Sequence, residues 1–165
     1  MKKIFYFFIL IIMIGCSSNN DKKFYDEGLK LYNEKKYNEA LNKFQQVLNE
    51  NTSGEFREKS LMLIGTMYYM YQVPNVGQME SNRKAVDYFR LLYKEYPNSK
   101  DAPKALFLSG FILANNLNKL EEAKLAYQEF LKKFPDNEFA VSTKTELENL
   151  GKSPDEILQK KLSKK

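Results

Sequence analysis

Cys16 is the only thiol in this chain, and the chain has no histidine at all. Those two counts bound most of the chemistry open to its side chains. Without histidine no Ser–His–Asp or Cys–His unit can form, and no imidazole can hold a metal. A single cysteine excludes thiolate clusters and an internal disulfide. Carboxylates, lysines and tyrosines remain, but Asp and Glu recur interleaved with Lys, as on the surfaces of helices. The residue set points away from an enzyme, a cofactor and a metal. The purpose of Cys16 has to be read from its setting.

That setting is the end of a greasy segment. Lys2 and Lys3 precede an unbroken apolar run of 11 residues, Ile4 to Ile14. A spanning helix needs about 20 apolar residues, so the run matches the short core of a secretory signal instead. It closes in Met13-Ile14-Gly15-Cys16, with Ser17 next. This resembles the bacterial lipobox, in which a signal peptidase cuts before a cysteine that has received a diacylglycerol group. The bland alternative is an apolar core helix with a chance cysteine. The resemblance implies that residues 1–15 are removed and that Cys16 carries the lipid anchor. Losing Lys2 and Lys3 takes the formal charge from +5 to +3. Ser17, where inner-membrane retention commonly uses aspartate, favours the outer membrane over the inner, on its periplasmic face.

The rest of the chain must position any binding surface. The 165 residues suit one domain. Aromatics are abundant (12 Phe and 11 Tyr, no Trp), while 7 Gly and 5 Pro argue against hairpin-rich β architecture. The sequence also repeats at intervals of roughly 38 residues. "YDEGLKLYNEKKYNEALNKFQQVL" begins at Tyr25, "LIGTMYYMY" at Leu63 leads to "KAVDYFRLLYKEYPNS" at Lys84, and "LSGFILANNLNKLEEAKLAYQEFLKKFPDN" begins at Leu108. Gly28, Gly65 and Gly110 are followed by Ala40, Ala85 and Ala123, and four residues later by Phe44, Phe89 and Tyr127. Small residues let two helix backbones approach, an aromatic fills the adjacent gap, and Pro97 and Pro135 stop the second helix of a unit.

These units resemble the tetratricopeptide repeat (TPR). The expected fold is all-α: a TPR-like α-solenoid of about three helix–turn–helix repeats plus C-terminal capping helices. The expected organisation is a leader (1–15), a lipidated tether (16–23), a repeat domain (24–150) and a basic tail (151–165). The repeat units span about 21–53, 55–98 and 101–136, with a capping helix after them at 138–150. Some residues depart from the pattern. Glu27 takes a position that is usually apolar, and Thr52 stands where proline would close the first unit. The second unit is longer, and its surplus falls in "QVPNVGQMESNR", Gln72 to Arg83, which is expected to loop out. That loop is either a tolerated insertion or a partner contact. "SPDE", Ser153 to Glu156, reads as a capping box for a last short helix. Its lysines (Lys160, Lys161, Lys164, Lys165) suit either a solvated helix end or an anionic contact.

In this repeat class the first helix of each unit lines the concave face. The resemblance therefore makes a candidate groove of Tyr25, Leu29 and Tyr32; Met62, Thr66, Tyr69 and Met70; and Phe107, Phe111 and Asn115. Such an aromatic and methionine-rich set suits an apolar peptide or partner helix. Packing under a tail helix is the competing reading. Leu29 rules out the polar clamp that some TPR proteins close on a peptide carboxylate. Lysines show no basic stripe, so nucleic acid is not an expected partner.

A lipobox joined directly to such units, with "YPNSKDAPKAL" and "FLKKFPDNEFA" linkers, is similar to an envelope group. That group includes the BamD-like lipoproteins of outer-membrane protein assembly and the Tol–Pal periplasmic coordinator. The resemblance implies a non-enzymatic, membrane-anchored scaffold holding another envelope protein or peptide. An accessory lipoprotein for cell-wall polymer or a nutrient ligand is the alternative. Eight residues separate Cys16 from Phe24, so an extended tether reaches at most about 28 Å, and the first unit works near lipid.

Overall fold

The computed structural model describes residues 18–50 and 54–162. Cys16, the segment before it, Thr52, Lys164 and Lys165 lie outside the described residues. Within them there are eight helices and no strand: α1 (Ser18–Asn33), α2 (Tyr37–Asn49), α3 (Glu55–Tyr69), α4 (Gln78–Glu95), α5 (Ala102–Asn115), α6 (Leu120–Lys133), α7 (Ala140–Asn149) and α8 (Pro154–Leu162). α1 begins inside the stretch read from sequence as a tether.

Three hairpins, α1–α2, α3–α4 and α5–α6, stack in chain order through α2 on α3, α4 on α5 and α6 on α7. The result is an all-helical, TPR-like solenoid. Each hairpin closes on one device. A methyl group added at Gly28 would lie 2.6 Å from the ring of Phe44, at Gly65 2.7 Å from Phe89, and at Gly110 2.8 Å from Tyr127. Real side chains do not approach that closely, so only glycine leaves room for the ring. Ala40, Ala85 and Ala123 are fully buried beside these contacts, as are the three aromatic rings. Between the hairpins, Leu61, Ile64, Met67, Leu92 and Ile112 join them in one core cluster, and Leu106, Ala126 and Phe130 form a second, smaller one.

The turns obey local chemistry. α1 and α3 end alike: the N–H of Lys36 reaches Leu31 O at 2.9 Å and that of Gln72 reaches Met67 O at 2.9 Å. This wraps the last carbonyls and places Lys35 (φ 60°) and Tyr71 (φ 55°) in the left-handed region. At α8 the capping box forms as its sequence implies, Ser153 N–H donating to Glu156 Oε2 at 2.7 Å and Glu156 N–H to Ser153 Oγ at 3.3 Å.

Two expectations change. The surplus of the second unit does not loop out as a whole, because α4 starts at Gln78 and residues 78–83 are its first turns. Ser81 and Asn82 are buried there, and Val73 tucks inward at 5% exposure, so the loop shrinks to the residues before Gly77. Glu27 also gains an account. Its carboxylate meets Lys43 Nζ of α2 at 2.7 Å, and that hydrogen bond holds its pKa below the usual carboxylate value. The position is a half-exposed polar bridge across the first hairpin.

One polar contact ties units together. Arg57 Nε and Nη2 donate to Glu95 Oε2 and Oε1 at 2.8 and 3.0 Å, while Nη1 donates to Leu48 O at 2.5 Å. One side chain thus joins the end of α2, the start of α3 and the end of α4. Gly54 N–H donates to Tyr96 OH at 3.2 Å beside it.

Gly65→Ala should cost about 1–3 kcal/mol through overpacking, read as a lowered urea midpoint with unchanged slope. Arg57→Ala should cost about 1–3 kcal/mol, whereas Lys59→Ala, which breaks an exposed pair with Glu55, should leave the urea midpoint nearly unchanged. Arg57 holds the Glu95 carboxyl below its ordinary pKa. Stability from this pair is full above the ordinary carboxylate range and is lost as pH falls through the lowered folded value. The acid limb of a pH–stability curve should therefore be shallower in Arg57→Ala than in the parent.

Candidate binding face and family

The first helices of the hairpins present the sequence-predicted groove residues unequally. α1 packs directly on α3, whereas α5 meets the second unit mainly through α4. Tyr25 lies between helices, 5.9 Å from the Phe44 ring and 5.4 Å from Phe56, with Lys59 Nζ 6.0 Å above it. Burial, the largest influence, raises its phenol pKa. Tyr32 meets Tyr37 edge-on at 5.6 Å. Leu29, Met62 and Tyr69 rest against the core with one side open, and the Thr66 hydroxyl turns back to Met62 O at 2.8 Å. Met70 is 57% exposed.

The third unit is different. Phe107 stacks on Phe139 with centroids 5.1 Å apart and planes at 19°, and its ring also lies within 6.4 Å of Tyr127 and 6.3 Å of Phe130. Phe139 immediately precedes α7, so the tail covers this part of the inner face. Phe111 touches Phe107 at 6.1 Å but stays half-exposed. Asn115 is exposed and donates from Nδ2 to Phe111 O at 3.1 Å. The inner face is thus open over the first two units and capped over Phe107.

Two further concavities escape sequence reasoning. A cleft of about 570 Å³ opens where α5 ends, lined by Ala114, Asn115, Leu120, Glu146, Leu150 and Ile157 among others. On the outer side, a groove of about 320 Å³ runs between α4, α5 and α6 over Leu106 and Ala126, with Leu125 65% exposed. It is bridged by Tyr93 OH donating to Glu129 Oε1 at 2.7 Å and Arg90 Nη1 to Glu122 Oε2 at 3.0 Å. Burial and then Glu129 push the Tyr93 phenol up to about 12. Each concavity draws on three or more separate segments, so no local spacing announces it. Tyr127 and Tyr68 are likewise raised mainly by burial.

The family model for YfiO, an outer membrane lipoprotein, matches residues 17–153. This chain belongs to that YfiO family. The match runs from the residue after Cys16 through the end of α7, and α8 lies past it. Membership places the chain among outer membrane lipoproteins of the cell envelope. No curated protein matches it.

Phe139→Ala should cost about 1–2 kcal/mol through the lost stack. Limited proteolysis should then cut first near Pro135 and release the α7–α8 segment, while fragments from α1 to α6 persist.

Proposed function

We propose that this member of the YfiO family is a non-enzymatic scaffold, lipid-anchored through Cys16 to the periplasmic face of the outer membrane. Its occupant is another envelope protein or peptide, held along the inner face of the first two units and by Phe111. The observation that carries this reading is the half-buried, uncharged strip Tyr25, Leu29, Tyr32, Met62 and Tyr69, backed by the core and open on one side. Tyrosine and methionine surfaces of this kind are enriched at protein interfaces and depleted of charge at their centres. The titratable groups support a role without catalysis. Among the described residues, each glutamate with a displaced pKa is held low by a cationic or hydrogen-bonding partner, not raised as a general acid would be. The displaced tyrosines owe their shift first to burial.

A photo-crosslinking residue placed at Tyr69 or Phe111 in the lipidated protein should capture one discrete envelope protein from intact cells. The same probe at Leu125 on the outer side should capture far less. Failure to capture any protein from the inner face, with retention of the protein on purified cell wall, would overturn the scaffold reading. Cys16→Ser should abolish metabolic acyl labelling and release the protein from membranes; undiminished labelling would refute the anchor.

A further inference from the structure

The direction of the helices relative to Cys16 sets how the solenoid meets the membrane. α1 starts at Ser18, two residues after Cys16, and two residues span at most about 7 Å. No long leash separates the anchor residue from the packed domain. α1, α3 and α5 run parallel, because successive helices are antiparallel. Glu27 meets Lys43 and Tyr32 meets Tyr37, Arg57 at the start of α3 meets Leu48 at the end of α2 and Glu95 at the end of α4, and Tyr71 after α3 meets Asn82 near the start of α4. The start of α1 therefore shares an edge with the end of α2, the start of α3, the end of α4 and the start of α5. Arg57, Glu95, Leu48, Gly54 and Tyr96 bond to one another there. The opposite edge carries the turns after α1, α3 and α5, with Tyr71 OH donating to Asn82 Oδ1 and accepting from Asn116 Nδ2, each at 3.2 Å. α3 has 15 residues, which separates the two edges by about 22 Å.

Resting on the lipid-anchor reading of Cys16, we infer that the edge holding Gly54, Tyr96 and Lys100 seats directly on the phospholipid headgroups, and that the edge holding Tyr71 and Gly77 points away. Lys100 and Lys104 are exposed on the seated edge, where cationic side chains can meet phosphates, while Lys22 there is already paired with Asp26. Glu55 and Asp101 share that edge, so the short connection, and not net charge, does the seating. The free flank of the first hairpin is the other surface near the anchor. Its Glu27 already has Lys43 as a counter-ion at 2.7 Å, which leaves it a self-satisfied polar face.

Two glycines make the test clean. A side chain at Gly54 or Gly77 enters open space, and with Cys16 acylated an added cysteine is the only free thiol. Full-length lipidated Gly54→Cys and Gly77→Cys, each carrying one fluorophore, would be placed in vesicles of phosphatidylethanolamine and phosphatidylglycerol bearing a headgroup quencher. The expected result is quenching several-fold stronger at position 54 than at position 77. Equal or reversed quenching would overturn the seating. Stronger quenching from Lys30→Cys than from either glycine site would also overturn it, by putting the flank on lipid. Acyl labelling of the same preparations separates the two ideas. Labelled protein with equal quenching defeats only the seating, whereas unlabelled protein defeats the anchor and the seating together.

Discussion

The architecture depends on one close approach, repeated three times. Phe44, Phe89 and Tyr127 each occupy the space where a side chain on Gly28, Gly65 or Gly110 would be. The aromatic buries its whole ring, the helices of the hairpin come together over it, and the neighbouring alanine stays small enough to allow the crossing. Every surface of interest is downstream of that contact, because it fixes how the first helix of each hairpin is rotated. Rotate α1 about its axis and Tyr25, Leu29 and Tyr32 leave the inner face as a set.

Much of this was legible in the residues. The Gly, Ala and aromatic triplets marked all three hairpins, because a close helix crossing demands those types at those spacings. The SPDE run marked a cap, because its hydrogen bonds close within four residues. Three features were not legible. The start of α4 at Gln78 was hidden because Gln72–Arg83 carries turn-forming Pro74 and Gly77, whereas the first turns of the helix bury Ser81 and Asn82, the latter accepting a hydrogen bond from Tyr71 OH. The role of Glu27 needed Lys43 on the next helix. A tail packed on the inner face was legible only as one of two alternatives; that it falls on Phe107, through Phe139, needed the path of the chain after Pro135, which no periodicity specifies.

The polar contacts divide by depth. Arg57 is an integrating contact: its fork and its third donor satisfy groups from two other helices at a partly buried site. The pairs Lys22–Asp26 and Lys59–Glu55 lie within single helices at exposed positions and add little to stability. The aromatic inner face sits between these regimes, dry enough to raise the Tyr25 phenol and open enough to accept another apolar surface. Such a face keeps its shape through the core behind it, so a bound segment would not have to order it.

The stacking of each helix on its chain neighbours also governs how the protein folds and fails. Among the described residues, apart from α1 on α3, every substantial helix contact joins elements consecutive in the chain, so the loops that must close to form these contacts are short. Low contact order of this kind belongs to fast-folding topologies, with little time spent exposing unpaired apolar surface. Rapid local collapse of this kind limits the window for aggregation. Damage should stay regional as well: stability in such arrays is a chain of nearest-neighbour terms, and a weakened end can open while the hairpins beyond it hold.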